Sequence, residues 1–151
     1  MEAAAAPKVV AVVGPSEASE AEARAASAVG AALAARGVTV VCGGLGGVME
    51  AACAGARSAG GTTIGFLPGT DRAAANRFVS VAIPTGLGEL RNGLVVRACD
   101  ALIAVGAGYG TLSEIALALR AGKRVVAVES WDIEGVEVAD HGEDAVRRLL
   151  G

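Results

Sequence analysis

The sequence predicts an α/β fold of the doubly wound, Rossmann-like kind: a mostly parallel sheet between two helical layers, a three-layer sandwich. Three observations predict it. Short apolar runs rich in valine recur along the chain, as at 9–13, 38–42 and 102–105. A run apolar on both faces is the pattern of a strand buried inside a parallel sheet. Between these runs lie alanine-rich segments of ten or more residues with helical start and stop signals. The 22 glycines of the 151 residues fall largely where the apolar runs end, which is the turn position of βαβ units.

Taken in order, the first strand is expected over 8–13 and closes at the turn signal Gly14-Pro15. Ser19 and Glu22 have the S-x-x-E spacing of a capping box, opening a helix that stops near Gly37. A second strand covers 38–42, and after Gly43-Gly44-Leu45-Gly46-Gly47 a helix runs over 48–58. Gly60-Gly61 breaks it ahead of a third strand, 62–67, closed by Pro68-Gly69. The polar stretch 71–77 reads as loop, and 78–83 alternates as a further strand would. Pro84-Thr85-Gly86 leads into a helix over 87–98, followed by a strand over 100–105. After Gly106-Ala107-Gly108-Tyr109-Gly110, Thr111 opens a helix to about residue 121, with Gly122 as its stop. The last clear strand is 124–129; 131–140 carries no firm pattern, and 142–150 reads as a closing helix.

Composition narrows the function classes. The length fits one domain over 1–151, with the alanine-rich residues 1–7 as a flexible tail. Hydrophobic residues make up 53%, yet there are only one Trp, one Tyr and two Phe. The core must therefore be built from Val, Leu, Ile and Ala. Thirteen basic against 16 acidic residues give a net charge of −3, without the basic face that nucleic-acid binding requires. The mean hydropathy of +0.53 raises the question of a membrane. No stretch approaches the ~18–20 uninterrupted apolar residues of a spanning helix, and the start lacks the basic and apolar regions of a secretory signal. Cys42, Cys53 and Cys99 are widely separated and form no C-x-x-C, and His141 is the only histidine. The expectation is small buried thiols at Cys42 and Cys99, a Cys53 either buried or near the cleft, no metal site and a reduced, cytoplasmic protein.

In an open parallel sheet, ligands bind beyond the carboxyl ends of the strands. After the first strand stands Gly14-Pro15-Ser16 in place of G-x-G-x-x-G, and no G-x-x-x-x-G-K-[ST] occurs. Routine NAD binding and P-loop chemistry are thereby disfavoured. The glycines concentrate instead after residue 42 and after residue 105, each cluster running from a strand end into a helix. Such turns present unpaired N–H groups and a positive helix end, with no Cβ to hold an anion away. Two of them over one sheet favour a phosphorylated ligand over merely tight βα turns. Thr111-Leu112-Ser113-Glu114 is a second S/T-x-x-E, readable as a capping box or as a carboxylate at the mouth of the cleft. Arg91 reads as a solvated surface arginine or, near an anion cradle, as a bidentate partner for a phosphate or for Glu114.

Three segments, 43–50 (Gly43-Gly44-Leu45-Gly46-Gly47-Val48-Met49-Glu50), 85–92 (Thr85-Gly86-Leu87-Gly88-Glu89-Leu90-Arg91-Asn92) and 106–114 (Gly106-Ala107-Gly108-Tyr109-Gly110-Thr111-Leu112-Ser113-Glu114), together resemble the LOG superfamily. That superfamily, formerly mislabelled as lysine decarboxylases, includes nucleoside 5′-monophosphate phosphoribohydrolases and molybdenum cofactor carriers. The resemblance spans about 9–128. Its PGGxGTxxE signature is matched at Gly108, Gly110, Thr111 and Glu114, and Arg91 stands at the upstream arginine. The chain departs from it where Gly106-Ala107-Gly108 stands in place of the leading Pro-Gly-Gly, where Asn92 replaces a lysine, and where Glu50 replaces a glycine. Tyr109 matches the hydrolase form of the signature, whereas the short length is closer to the carriers.

The resemblance implies catalytic roles for Arg91 and Glu114. It implies phosphate or nucleotide binding by Gly14, Gly43, Gly44, Gly46, Gly47, Asn92, Gly106, Gly108, Tyr109, Gly110 and Thr111. As an enzyme, the protein would hydrolyse the N-glycosidic bond of a nucleoside 5′-monophosphate such as AMP, with Glu114 stabilising the oxocarbenium-like centre. As a carrier, it would hold molybdenum cofactor or a related phosphorylated ligand uncleaved and need no cofactor of its own. True decarboxylation is disfavoured, because Lys8 and Lys123, the only lysines, occupy no plausible pyridoxal phosphate site. The resemblance further implies a homodimer or homotetramer.

Overall fold

The computed structural model describes residues 5–151; most of the expected tail, residues 1–4, lies outside the described residues. Seven strands form a single sheet: β1 (Val9–Val13), β2 (Thr39–Cys42), β3 (Thr63–Leu67), β4 (Val81–Pro84), β5 (Ala101–Val105), β6 (Arg124–Val128) and β7 (Glu137–Val138). Every pairing is parallel and the order is β4-β3-β2-β1-β5-β6-β7. Parallel strands need helical crossovers, and these supply the two outer layers. On one face lie α1 (Glu20–Ala35), α2 (Val48–Ser58) and α5 (Gly142–Leu150), sealing a core of Val10, Val12, Val29, Leu33 and Ile103. On the other lie α3 (Asn92–Ala98) and α4 (Tyr109–Arg120), over Ala11, Val13, Leu102, Val95 and Ile115. Among the described residues the two main core layers are built mostly from Val, Ala, Leu and Ile.

Local chemistry explains most boundaries. Ser19 and Glu22 close the capping box of α1, each side chain accepting from the other's backbone N–H at 3.1 and 2.9 Å. The α1–α2 crossing is close because glycine permits it: a Cβ at Gly30 would strike the Ala52 carbonyl, and one at Gly55 the Ser27 carbonyl. At the end of α3, the Lys123 ammonium donates to the carbonyls of Val96 and Cys99, both at 2.6 Å, which suits the negative end of the helix.

Four expectations are corrected. The strand expected from residue 78 begins at Val81, because Thr63 and Ser80 side chains and the Phe78 carbonyl bond one another ahead of it. The helix expected over 87–98 is a 3-10 turn, Gly88–Arg91, leading into α3; Gly86 and Gly88, both at positive φ, interrupt it. The unassigned stretch 131–140 contains β7, a two-residue strand too short and polar to carry a pattern. Finally, α4 begins at Tyr109 and not at Thr111, with the extended Gly108 at its N-cap. Among the described residues, no helix is long and apolar enough to cross a membrane.

Candidate functional site

The strands step outward from β1 through β2 and β3 to β4, and the chain then returns to place β5 on the other side of β1. This reversal leaves a crevice at the carboxyl ends of β1 and β5, the usual ligand position in an open α/β sheet. A cavity of about 280 Å³ occupies it, bounded by Gly14, Pro15 and Ser16 after β1, Gly43, Leu45 and Met49 after β2, and Arg91, Asn92, Gly108, Gly110, Thr111 and Glu114 from the α3–α4 side. The two glycine clusters and the upstream arginine therefore meet in one place.

Three hydrogen-bond partners hold Arg91. Its Nε donates to the Phe66 carbonyl at 2.9 Å, one Nη donates to Asn92 Oδ1, and the other reaches the Gly43 carbonyl at 3.5 Å. A guanidinium has five N–H donors, so two remain for a ligand. Glycine at 43 makes this pose possible, since a Cβ there would come within 2.8 Å of Arg91 Nη2 and 2.9 Å of Met49 Sδ. Asn92, itself buried, donates through Nδ2 to Ser113 Oγ at 3.2 Å, and Ser113 donates to the Gly110 carbonyl at 2.6 Å. This relay ties Arg91 to the first turn of α4.

The early start of α4 changes the meaning of the T-x-x-E pattern. The first helical bond runs from the Leu112 N–H to the Gly108 carbonyl at 2.8 Å. The N–H groups of Tyr109, Gly110 and Thr111 precede it and have no partner within the helix. Thr111 and Glu114 sit inside the helix at i and i+3, one above the other on the face turned to the cavity. Glu114 is not a cap. It is only 7% exposed, and burial pushes its carboxyl up to about 8, the nearby Arg91 charge opposing this only in part. At neutral pH the group is mostly protonated, a hydrogen-bond donor in the cavity wall.

The remaining expected residues divide by position. Gly14, Gly43, Gly108, Gly110, Thr111, Asn92, Arg91 and Glu114 border the cavity. Gly44, Gly46, Gly47 and Gly106 do not. Gly44, Gly47 and Gly106 shape the turns through positive φ, and a Cβ on Gly47 would collide with the Pro15 carbonyl. Tyr109 is 90% exposed and borders a neighbouring hollow with Leu90, Gly93, Ser113 and Leu117. Pro15, Ser16, Leu45, Met49 and Ser113 escaped the sequence reading, which weighed glycines and charges. Cys42 and Cys53, far apart in sequence, meet beneath the Gly43-Gly44 turn with their sulfurs 3.6 Å apart.

Fold and crevice together define an open-sheet α/β protein with a ligand cleft at its topological switch point. The chain belongs to the SLOG cluster4 family, whose model matches residues 7–149, in agreement with the LOG resemblance of its motifs. It is 44% identical over 142 residues, 93% of each chain, to an uncharacterized protein of Archaeoglobus fulgidus. The molybdenum cofactor binding protein of Rippkaea orientalis superposes with a TM-score of 0.88 at 35% identity, covering 97% of this chain and 96% of that one. The molybdenum cofactor carrier protein of Chlamydomonas reinhardtii gives 0.83 at 35% identity, with 93% and 96% covered.

Proposed function

We propose that this protein binds molybdenum cofactor, or a closely related phosphorylated pterin, and carries it without cleaving it. The observation that supports this most is the nearly end-to-end likeness to two proteins described as binding or carrying that cofactor. The phosphate would sit against the N–H groups of Tyr109, Gly110 and Thr111, where the positive end of α4 favours an anion. The two spare donors of Arg91 would hold it bidentately. The adjoining hollow, which shares Asn92 and Gly110 with the cavity, extends the site toward the Tyr109 ring, room for a flat heterocycle. Glu114, protonated, would donate to the ligand.

Hydrolysis of a nucleoside 5′-monophosphate such as AMP is the second reading, favoured by the Glu114 carboxyl in the cavity wall. It requires the carboxylate form. A bound phosphate raises the carboxyl further still, because like charges disfavour ionisation, and this weighs toward carriage. A second copy of the chain is the partner we assign to the outer face of α3 and α4. Leu90 at 74% exposure, Leu94, Leu112, Leu117 and Tyr109 form an apolar surface of the kind that marks an interface. Three free cysteines fit the reducing cytoplasm.

Protein purified from cells that make the cofactor is expected to release a fluorescent oxidised pterin in stoichiometric amount, and Arg91→Ala to release far less. Pterin no greater than in an unrelated control would overturn the carrier reading. Free base from AMP, lost in Glu114→Gln, would establish the hydrolase reading in its place.

A further inference from the structure

We propose that Cys42 and Cys53 form a thiol–disulfide pair that resets the Gly43-Gly44 turn of the ligand cavity. Cys42 ends β2, directly before that turn, and Cys53 lies in the middle of α2. Both are fully buried, and their sulfurs stand 3.6 Å apart in direct contact. A disulfide has S–S of about 2.05 Å, so closure asks for an approach of about 1.5 Å.

The surroundings differ from those of an inert core thiol. Cys99, the third cysteine, sits by itself and donates to the Val96 carbonyl at 3.2 Å. Polar groups, in contrast, converge on the pair. The Gly44 N–H donates to Cys42 Sγ at 3.3 Å. A hydrogen bond from Cys42 holds the Cys53 thiol below its ordinary value, with the Asn76 and Thr63 side chains adding to this against burial, while the same bond pushes Cys42 up. Cys53 is assigned the attacking role in the pair and Cys42 the resolving one. Met49 shares a buried cluster with the two cysteines and borders the cavity, and the route assigned to a small oxidant runs from the cavity past Met49.

A hydroperoxide is the oxidant class that fits. The Cys53 thiolate attacks the O–O bond and takes one oxygen, which after protonation of the leaving oxygen gives a sulfenic acid and water or an alcohol. Cys42 then attacks the sulfenic sulfur, forming the S–S bond, and its proton leaves with the hydroxyl as a second water. Two external thiols reverse the reaction and become a disulfide themselves. Oxidation draws Cys42 Sγ away from the Gly44 N–H and toward α2, shifting the turn whose Gly43 carbonyl meets Arg91. The effect on the ligand rests on the binding reading above; the chemistry of the pair does not.

The test uses ligand-free protein. After treatment of the folded protein with hydrogen peroxide, titratable thiols are expected to fall from three to one. The peptides bearing Cys42 and Cys53 should be joined with the loss of two hydrogens, and dithiothreitol should restore all three thiols. Cys99→Ser should leave the cross-link intact, whereas Cys53→Ser and Cys42→Ala should each abolish it. Amide exchange at Gly44 should accelerate in the oxidised form, because its N–H has lost its acceptor. Three thiols surviving peroxide in the folded protein, or a link that includes Cys99, would overturn the pair. A Cys42–Cys53 link with unchanged exchange at Gly44 would overturn its action on the turn.

Discussion

Replacing Glu114 by glutamine should flatten the pH dependence of stability across the neutral range. The carboxyl ionises at about 8 in the folded protein against an ordinary value of 4.5. Between those values the folded chain holds a proton that the unfolded chain has released. Stability is therefore lost as pH rises from about 4.5 toward 8, and none of this loss is present below the lower value. At no more than 1.36 kcal/mol for each pH unit, and less as either value is approached, the loss between about pH 5 and pH 8 comes to about 3 kcal/mol. Glu114 is 7% exposed, so solvent screening removes little of it. For a chain of this length about 1 kcal/mol moves the melting temperature by ≈ 2–4 °C, which makes the expected differential shift about 6–12 °C. The assay is thermal unfolding of both proteins over that pH range, reading the difference between the two curves so that all other titrating groups cancel. The depressed Asp144 and Asp100 carboxyls act below this window in any case. A difference that stays constant with pH would refute the buried, protonated Glu114 on which the argument for carriage leans.

Gly108→Ala should leave stability within about 0.5 kcal/mol, since its φ of 175° is open to any residue and a Cβ finds no atom nearer than 4.0 Å. Its methyl group enters the cavity, so pterin loading should fall, and loading equal to wild type would remove Gly108 from the ligand surface. Gly30→Val should cost at least the roughly 1–3 kcal/mol typical of overpacking, read as the denaturant midpoint, because it wedges α1 from the Ala52 carbonyl. His141 accepts the Asp144 N–H through Nδ1 at 3.1 Å at the start of α5. His141→Ala should therefore lower stability by about 1 kcal/mol, and a silent substitution would show that this cap carries no weight.

The fold was legible because its strands are apolar on both faces. β1 and β5 could be read residue by residue from their valines and alanines, whereas β7, with one charged and one exposed residue, offered nothing to read. Arg91 and Glu114 were legible as positions through their spacing to the glycines. The role of Glu114 was not, since it turns on where α4 starts. Gly108 takes the N-cap with no side chain to announce it, and this places the carboxyl inside the helix and not at its end. Cys42 and Cys53 stand eleven residues apart, a spacing that means nothing within one helix or strand. Only the packing of α2 against the end of β2 joins them. Tyr109 matched a signature letter for letter, yet it borders the neighbouring hollow and not the cavity.

The glycine contacts between α1 and α2 bear on how a ligand can come and go. Backbone rests directly on backbone at Gly30 and Gly55, with no side chain between to yield or change rotamer. α2 cannot slide or tilt without lifting off α1 at both points. The part of the cavity wall that α2 carries, at Met49, is thus backed firmly by α1. The opposite wall hangs on long side chains and their hydrogen bonds, from Arg91 through Asn92 and Ser113 to Gly110. On the carrier reading proposed above, release of the ligand would come by loosening that latch.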